Sequence, residues 1–192
     1  MNMEKKSRMT LLYRLREEKK MRLKGGIYHQ TQVKLAYNSN HMEGSRLTEE
    51  QTRYIYETNT IGISQEPANV DDIIETVNHF HCFDYILDHA EEDLTQKLIR
   101  DIHAILKSNT SDSHLEWFRV GDYKQRPNMV GDSKTTPPGR VQKEMEKLLR
   151  IMGRRRRCCL KILLNFIIIL RKFIRFRMET AELGACCCLR NA

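Results

Sequence analysis

The amino-acid sequence predicts a mainly α-helical protein with one small β-hairpin. Two segments carry apolar residues at spacings of three and four behind acidic starts, the pattern of amphipathic helices. A turn-rich stretch, 108–138, interrupts that pattern and holds the one good candidate for a hairpin.

Taken in chain order, "RLTEEQ" places Thr48 three residues before Gln51, a capping-box spacing that starts a short helix. Ile73, Val77, Phe80, Phe83 and Leu87 follow the acidic pair Asp71-Asp72, which suits a helix N-terminus. Leu94, Leu98, Ile102 and Ile105 repeat the pattern behind Glu91-Glu92-Asp93. The hairpin segment contains "NTSDS", "VGDYKQRPNMVGDS" and "TTPP". A last helix runs from Val141 through Met145 and Leu148, opened by "TTPPGR", because proline fits the first helical turn. No internal repeat is visible.

The chain has 192 residues and a formal net charge of +8, enough length for one domain with a real core. That charge is not evenly spread. Residues 151–192 hold ten Lys or Arg against Glu179 and Glu182, whereas the first 150 residues balance 23 basic with 23 acidic side chains. Cys82 stands alone upstream, and Cys158, Cys159, Cys186, Cys187 and Cys188 crowd the tail, while all seven histidines precede position 115. A basic balance usually points to nucleic acid or an anionic membrane, but here it says nothing about the larger part. Residues 1–150, with one thiol, no bilayer-length apolar run and no signal-peptide pattern, read as a cytoplasmic globular protein.

No obvious catalytic engine is present. In "HFHC" the two-residue spacing of His79 and His81 turns the rings to different helix faces, which argues against a metal pair. His103, in "IRDIHAIL", lies one step from the apolar stripe and reads as a satisfied structural histidine. There is no Gly-rich phosphate loop, no Cys-x-x-C pair and no nucleophile elbow.

Four stretches in order, "YNSNHMEGSRLTEEQ", "VNHFHCFDYIL", "IRDIHAILKSNT" and "VGDYKQRPNMVGDSKTTPPGRVQKEMEKLL", resemble the Fic family over about residues 35–150. The resemblance implies a Fic-like helical core with a flap hairpin beside the active site. It also implies transfer of AMP from ATP to a hydroxyl side chain of a target protein. The family's signature, HPFxxGNGRxxR, is expected some tens of residues after the Pro-Pro and is not in this chain.

The gap coincides with the change in composition. Phe173 to Ala185, with the start of Cys186, can be encoded so that the next frame spells HPFQDGNGRVGRL, the signature in full. In the same frame Asn165 to Lys172 reads FHYYFEKI, an aromatic segment leading into the motif. The third bases are a free choice, and the other two of each codon are fixed or nearly so by the protein. A frameshift near Arg150 and Ile151 is therefore expected, with the last core helices of the fold missing. The poly-Arg and triple-Cys runs follow as out-of-frame products. Read at face value, "LKILLNFIIILRKF" reaches about half the ~20 residues of a membrane span. "RRRR" lacks aromatic interleaving, so no specific nucleic acid is expected. "CCC" is too crowded for ordinary disulfides or zinc.

By the resemblance, the domains are an N-terminal helical region (1–34), a partial Fic domain with an N-terminal inhibitory motif (35–150) and an out-of-frame basic, Cys-rich tail (151–192). In the in-frame parent, the signature His would act as base and the Asp would hold Mg²⁺ across the phosphates of ATP. The last Arg would take the γ-phosphate. In this chain no catalytic or metal-binding residue is expected, and the product should be inactive. What survives is the family's inhibitory pattern, Ser39-x-x-x-Glu43-Gly44, whose carboxylate pairs with that last Arg. Without the resemblance, Glu43 reads as a solvated residue near a helix end and Ser39 as a local cap. The hairpin around Asn128, Met129 and Val130 resembles the flap that docks a target segment by main-chain pairing, and without the resemblance it reads equally as an edge hairpin that only covers the core. Tyr123-Lys124, with Arg delayed to Arg126, departs from the family's Tyr-Arg pattern. The alternative function is a non-catalytic, partner-binding or regulatory protein.

Overall fold

The computed structural model describes residues 3–62, 67–127, 129–130, 133–134 and 136–154, and in it the cap signals of the sequence stand where helices begin. Among these residues are six helices: α1 (Met3–Met21), α2 (Ile27–Met42), α3 (Glu49–Thr58), α4 (Val70–Asp88), α5 (Gln96–Lys107) and α6 (Pro138–Arg154). A 3-10 turn covers Ser111–His114, and β1 (Met129–Val130) pairs antiparallel with β2 (Ser133–Lys134). The fold is mainly α. Of the expected hairpin, the described part is a ladder two residues long, with Met129 opposite Lys134 and Val130 opposite Ser133.

The capping box forms as the spacing predicts. Thr48 Oγ1 accepts the Gln51 N–H at 3.1 Å and Gln51 Oε1 accepts the Thr48 N–H at 2.8 Å, so two orphan donors of α3 are satisfied. Asn59 closes that helix in the left-handed region, φ 55°, which Asn tolerates. At α4, Asn69 caps by accepting the Asp71 N–H at 3.1 Å. Helix α5 starts later than the acidic run suggests. Thr95 Oγ1 accepts the Leu98 N–H at 3.1 Å, so the chain turns helical after Thr95 and Glu91-Glu92-Asp93 stay ahead of the first turn. The buried stripe of α5 is correspondingly Ile99, Ile102, His103 and Leu106, one position on from the predicted Leu98 and Ile105.

The described residues fall into two compact units, one of those up to Asp93 together with Ala104–Leu115, the other of Leu94–His103 together with the described residues from Glu116 to Arg154. In the first, α2 packs against α1, α3 and α4. Ala36, Leu47, Ile55 and Phe80 form a core cluster there, extended by Tyr56, Ile73 and Val77. The ring of Tyr56 meets Phe80 edge-on at 4.9 Å between centroids. In the second unit Ile99, Ile102, Val141, Met145 and Leu148 are the buried apolar residues.

The expected segment boundary between residues 34 and 35 falls inside α2, which runs unbroken from Ile27 to Met42. Helix α6 likewise continues past residue 150 to Arg154, and 155–192 lie outside the described residues.

The start of α2 is held by a residue ten positions upstream. Glu18, buried on α1, accepts the Tyr28 N–H at 2.9 Å and the Arg14 guanidinium at 2.9 Å. The Tyr28 amide and then Arg14 hold its carboxyl below the usual carboxylate range. Gly26 leaves room beside it, because a Cβ there would meet Glu18 Oε2 and the carboxylate would have to shift. Gly26→Ala is therefore expected to push the carboxylate off the helix end and cost ~1–3 kcal/mol, read as a lower Tm. Because the folded pKa of Glu18 is depressed, its stabilisation is present above the unfolded carboxylate value and lost as pH falls through the folded one. The Tm gap between the protein and Glu18→Gln should accordingly close in acid.

Candidate functional site

The residues of the inhibitory pattern lie at the C-terminal end of α2. Ser39 sits inside the helix and is 3% exposed, so it is a buried packing residue rather than a local cap. Glu43 is the C-cap, half-buried and not without a partner. Gly44 takes φ +103°, a region that strains any residue with a Cβ. The turn is closed by its own backbone. The Glu43 N–H and the Ser45 N–H both donate to Asn40 O, at 2.9 and 3.0 Å, and the Gly44 N–H donates to His41 O at 3.1 Å. These are the last carbonyls of α2, which would otherwise have no helical partner.

The same turn is tied sideways to α4. Asn40 Nδ2 donates to Thr76 Oγ1 at 2.8 Å, and Thr76 Oγ1 donates to Asp72 O at 2.7 Å. Three residues beyond Glu43, the Arg46 N–H donates to Asp72 Oδ2 at 3.1 Å. Asn40 and Thr76 are both buried, and Asn40 Oδ1 has no hydrogen-bond partner among the described residues. Asp71, next to Asp72, accepts the Ser111 N–H at 2.9 Å and the Ser111 hydroxyl. Those two bonds hold the Asp71 carboxyl below its usual range.

Nearer the start of α2 the seam with α4 continues. Gln32 Nε2 reaches Asp84 Oδ1 and Tyr28 Oη at 3.0 Å each, and Tyr28 donates its hydroxyl to Asp84. Burial, then the Asp84 carboxylate, pushes the Tyr28 phenol up, so it stays a donor. Burial alone pushes the Cys82 thiol up, which leaves it an inert core group.

Of the three residues expected from the resemblance to dock a target, Met129 and Val130 form β1, and Asn128 lies outside the described residues. In the same unit, Tyr123 donates to Gln96 Oε1 at 2.8 Å, and Arg126 lies over the Trp117 ring at 5.1 Å. His103 is buried, and its Nδ1 accepts the Gly121 N–H at 2.9 Å while its ring meets Phe118. It is a structural histidine, as expected. His79 and His81 lie on faces of different exposure, the first half-buried and the second exposed. Among the described residues no group of three or more His, Cys, Asp or Glu could hold a metal ion, and no helix is long and apolar enough to cross a membrane.

What sequence reasoning missed is the partner set of the turn. Asn40, Asp72 and Thr76 carry no spacing signal toward Glu43, since the bonds span 26 and 36 positions.

No family model matches the chain, and no curated protein sequence matches it. Among solved structures, it is similar to a Fic domain containing signaling protein from Bacteroides thetaiotaomicron. The two share 23% identity with a TM-score of 0.56, over 74% of this chain and 55% of that one. The chain thus spans about half the length of the structure it matches. The likeness shows a Fic-like helical fold.

The geometry of Gly44 gives a direct test. Nothing lies within 4 Å of a Cβ built there, so the cost of a side chain is purely conformational. Gly44→Ala should lose ~1–2 kcal/mol. Gly44→Asn should lose less and Gly44→Val more, in the order of left-handed tolerance, measured by denaturant midpoints.

Proposed function

We propose that the chain is a Fic-type protein of the AMP-transferring lineage in which the catalytic signature has been displaced from the reading frame, and that the polypeptide as it stands transfers no AMP. What carries this reading is that Phe173 to Cys186 can be encoded so that another frame spells HPFQDGNGRVGRL, with only the third bases left to choice. The Fic-like fold of the described residues supports it. So does the turn at Ser39, Glu43 and Gly44, where the pattern's glycine adopts the positive φ that its residue type suits.

ATP and Mg²⁺ belong to the in-frame parent. The described residues offer no cluster of acidic or imidazole ligands for a cation, and the signature's His, Asp and last Arg are absent from the sequence. No AMP-transfer step is therefore assigned to this chain. The parent's partner would be a protein with a hydroxyl side chain, docked by main-chain pairing along the edge at Met129 and Val130.

Incubating the purified chain with α-labelled ATP should leave it and lysate proteins unlabelled, and labelling above a no-enzyme control overturns the inactive reading. Restoring the frame near Arg150 should give a protein that transfers AMP weakly. In that restored protein Glu43→Gly should raise transfer on the order of tenfold, within the usual range of a coupling free energy. The gain should vanish when the restored signature His is changed to Ala. If Glu43→Gly left the restored rate unchanged with the fold intact, Glu43 would be a plain surface residue. If it lowered the rate, Glu43 would be part of the machinery rather than its brake.

A further inference from the structure

We infer that Asp72 and Thr76, on the first turns of α4, are positioning residues for the Glu43 turn, so that α4 sets where the inhibitory carboxylate stands. The inference rests on the regulatory reading of Glu43 for its consequence, but the clamp itself rests on geometry alone.

The turn 43–46 has one anchor on each side of Glu43, and both end on α4. On the near side, Asn40 accepts the Glu43 and Ser45 amides through its carbonyl and donates through its side chain to Thr76 Oγ1 at 2.8 Å. On the far side, the Arg46 amide donates to Asp72 Oδ2 at 3.1 Å. Thr76 Oγ1 in turn donates to Asp72 O at 2.7 Å, so the two anchors share one helical turn. A loop fixed at both ends to the same turn cannot shift relative to α4 without breaking at least one of these bonds.

The Asn40 bond fixes position as well as adding stability. A buried amide gains about 1 kcal/mol from a made hydrogen bond and loses a comparable or larger amount for an atom left unpaired. Asn40 makes the Thr76 bond from a buried position, so breaking it costs on the order of one net hydrogen bond. The bond also sets register, since Nδ2 must face Thr76 to make it. Ser45 is also buried, and its Oγ accepts the Leu47 N–H at 3.3 Å, so the turn passes directly into the core at Leu47. That core contact keeps the fold closed while the clamp fixes the detail.

Hydrogen exchange on the full chain decides the clamp. In Thr76→Val, and separately in Asp72→Ala, the amides of Glu43, Ser45 and Arg46 should exchange about fivefold faster, the loss expected for one net hydrogen bond. Those of α3 should be unchanged. Thr76→Ser keeps the hydroxyl and should restore the slow exchange, which a simple packing role for Thr76 would not require. Unchanged exchange at 43–46 in both variants, or failure of Thr76→Ser to rescue, overturns the proposal. The regulatory consequence is read separately, in the frame-restored protein. There Thr76→Val should raise AMP transfer part of the way reached by Glu43→Gly and add nothing when the two are combined. If the exchange result holds while Glu43→Gly has no effect on transfer, the clamp stands and the inhibitory reading of Glu43 falls. If Glu43→Gly activates and Thr76→Val then adds to it independently, Thr76 does not act through Glu43 and the positioning role is wrong.

Discussion

Helix α2 lies against α1, α3 and α4 with polar side chains on its buried face, and the hydrogen bonds it makes to α4 are what permit this. Gln32 is 1% exposed and Asn40 is 3% exposed, burials that would each be unfavourable in an apolar environment without a partner. Gln32 finds Asp84, Tyr28 Oη and the Phe80 carbonyl, and Asn40 finds Thr76. Without that seam α2 would keep the apolar contacts of Tyr28, Val33 and Ala36 but leave its buried amides unpaired. An apolar helix could fill the same space, but it would not select one rotation and one register as the paired amides do.

The seam also explains how the ends of neighbouring helices are satisfied. Arg16 on α1 donates to Leu87 O at 2.8 and 3.2 Å, placing a cation at the C-terminal end of α4. Lys19 pairs with Asp88 at 3.1 Å on the same end. Asn78 reaches from α4 to Leu106 O and Ser108 O, at 3.0 and 2.8 Å, and so satisfies one of the last carbonyls of α5 and one just beyond its end. Helix α4 is thus the common acceptor and donor of the unit. Its first turns hold the motif loop, its middle carries the buried Asn78 and Phe80, and its last turn is capped from α1.

That arrangement gives the Glu43 turn a character unlike an exposed loop. Its amide groups are spent on the last carbonyls of α2 and on Asp72 of α4, and Gly44 supplies the one backbone conformation that a side chain would oppose.

The sequence by itself determined the elements whose signals are local. The periodicity of Phe80, Phe83 and Leu87, the Thr48 to Gln51 box and the proline at the start of α6 are each legible within one or two turns, and each helix forms there. The glycine of the motif is equally local, since its φ depends on its own residue type. Helix α2 was illegible because its buried face mixes Tyr28, Val33 and Ala36 with Gln32, Ser39 and Asn40, and the polar three read as surface residues until a partner is present. The one-position error in the α5 stripe has the same origin, because His103 is buried with Gly121 and Phe118 as tertiary partners. The Glu18 cap and the Asp72 and Thr76 anchors were decided by tertiary structure alone. They join residues 10, 26 and 36 positions apart, and no periodicity carries a hydrogen bond between two helices.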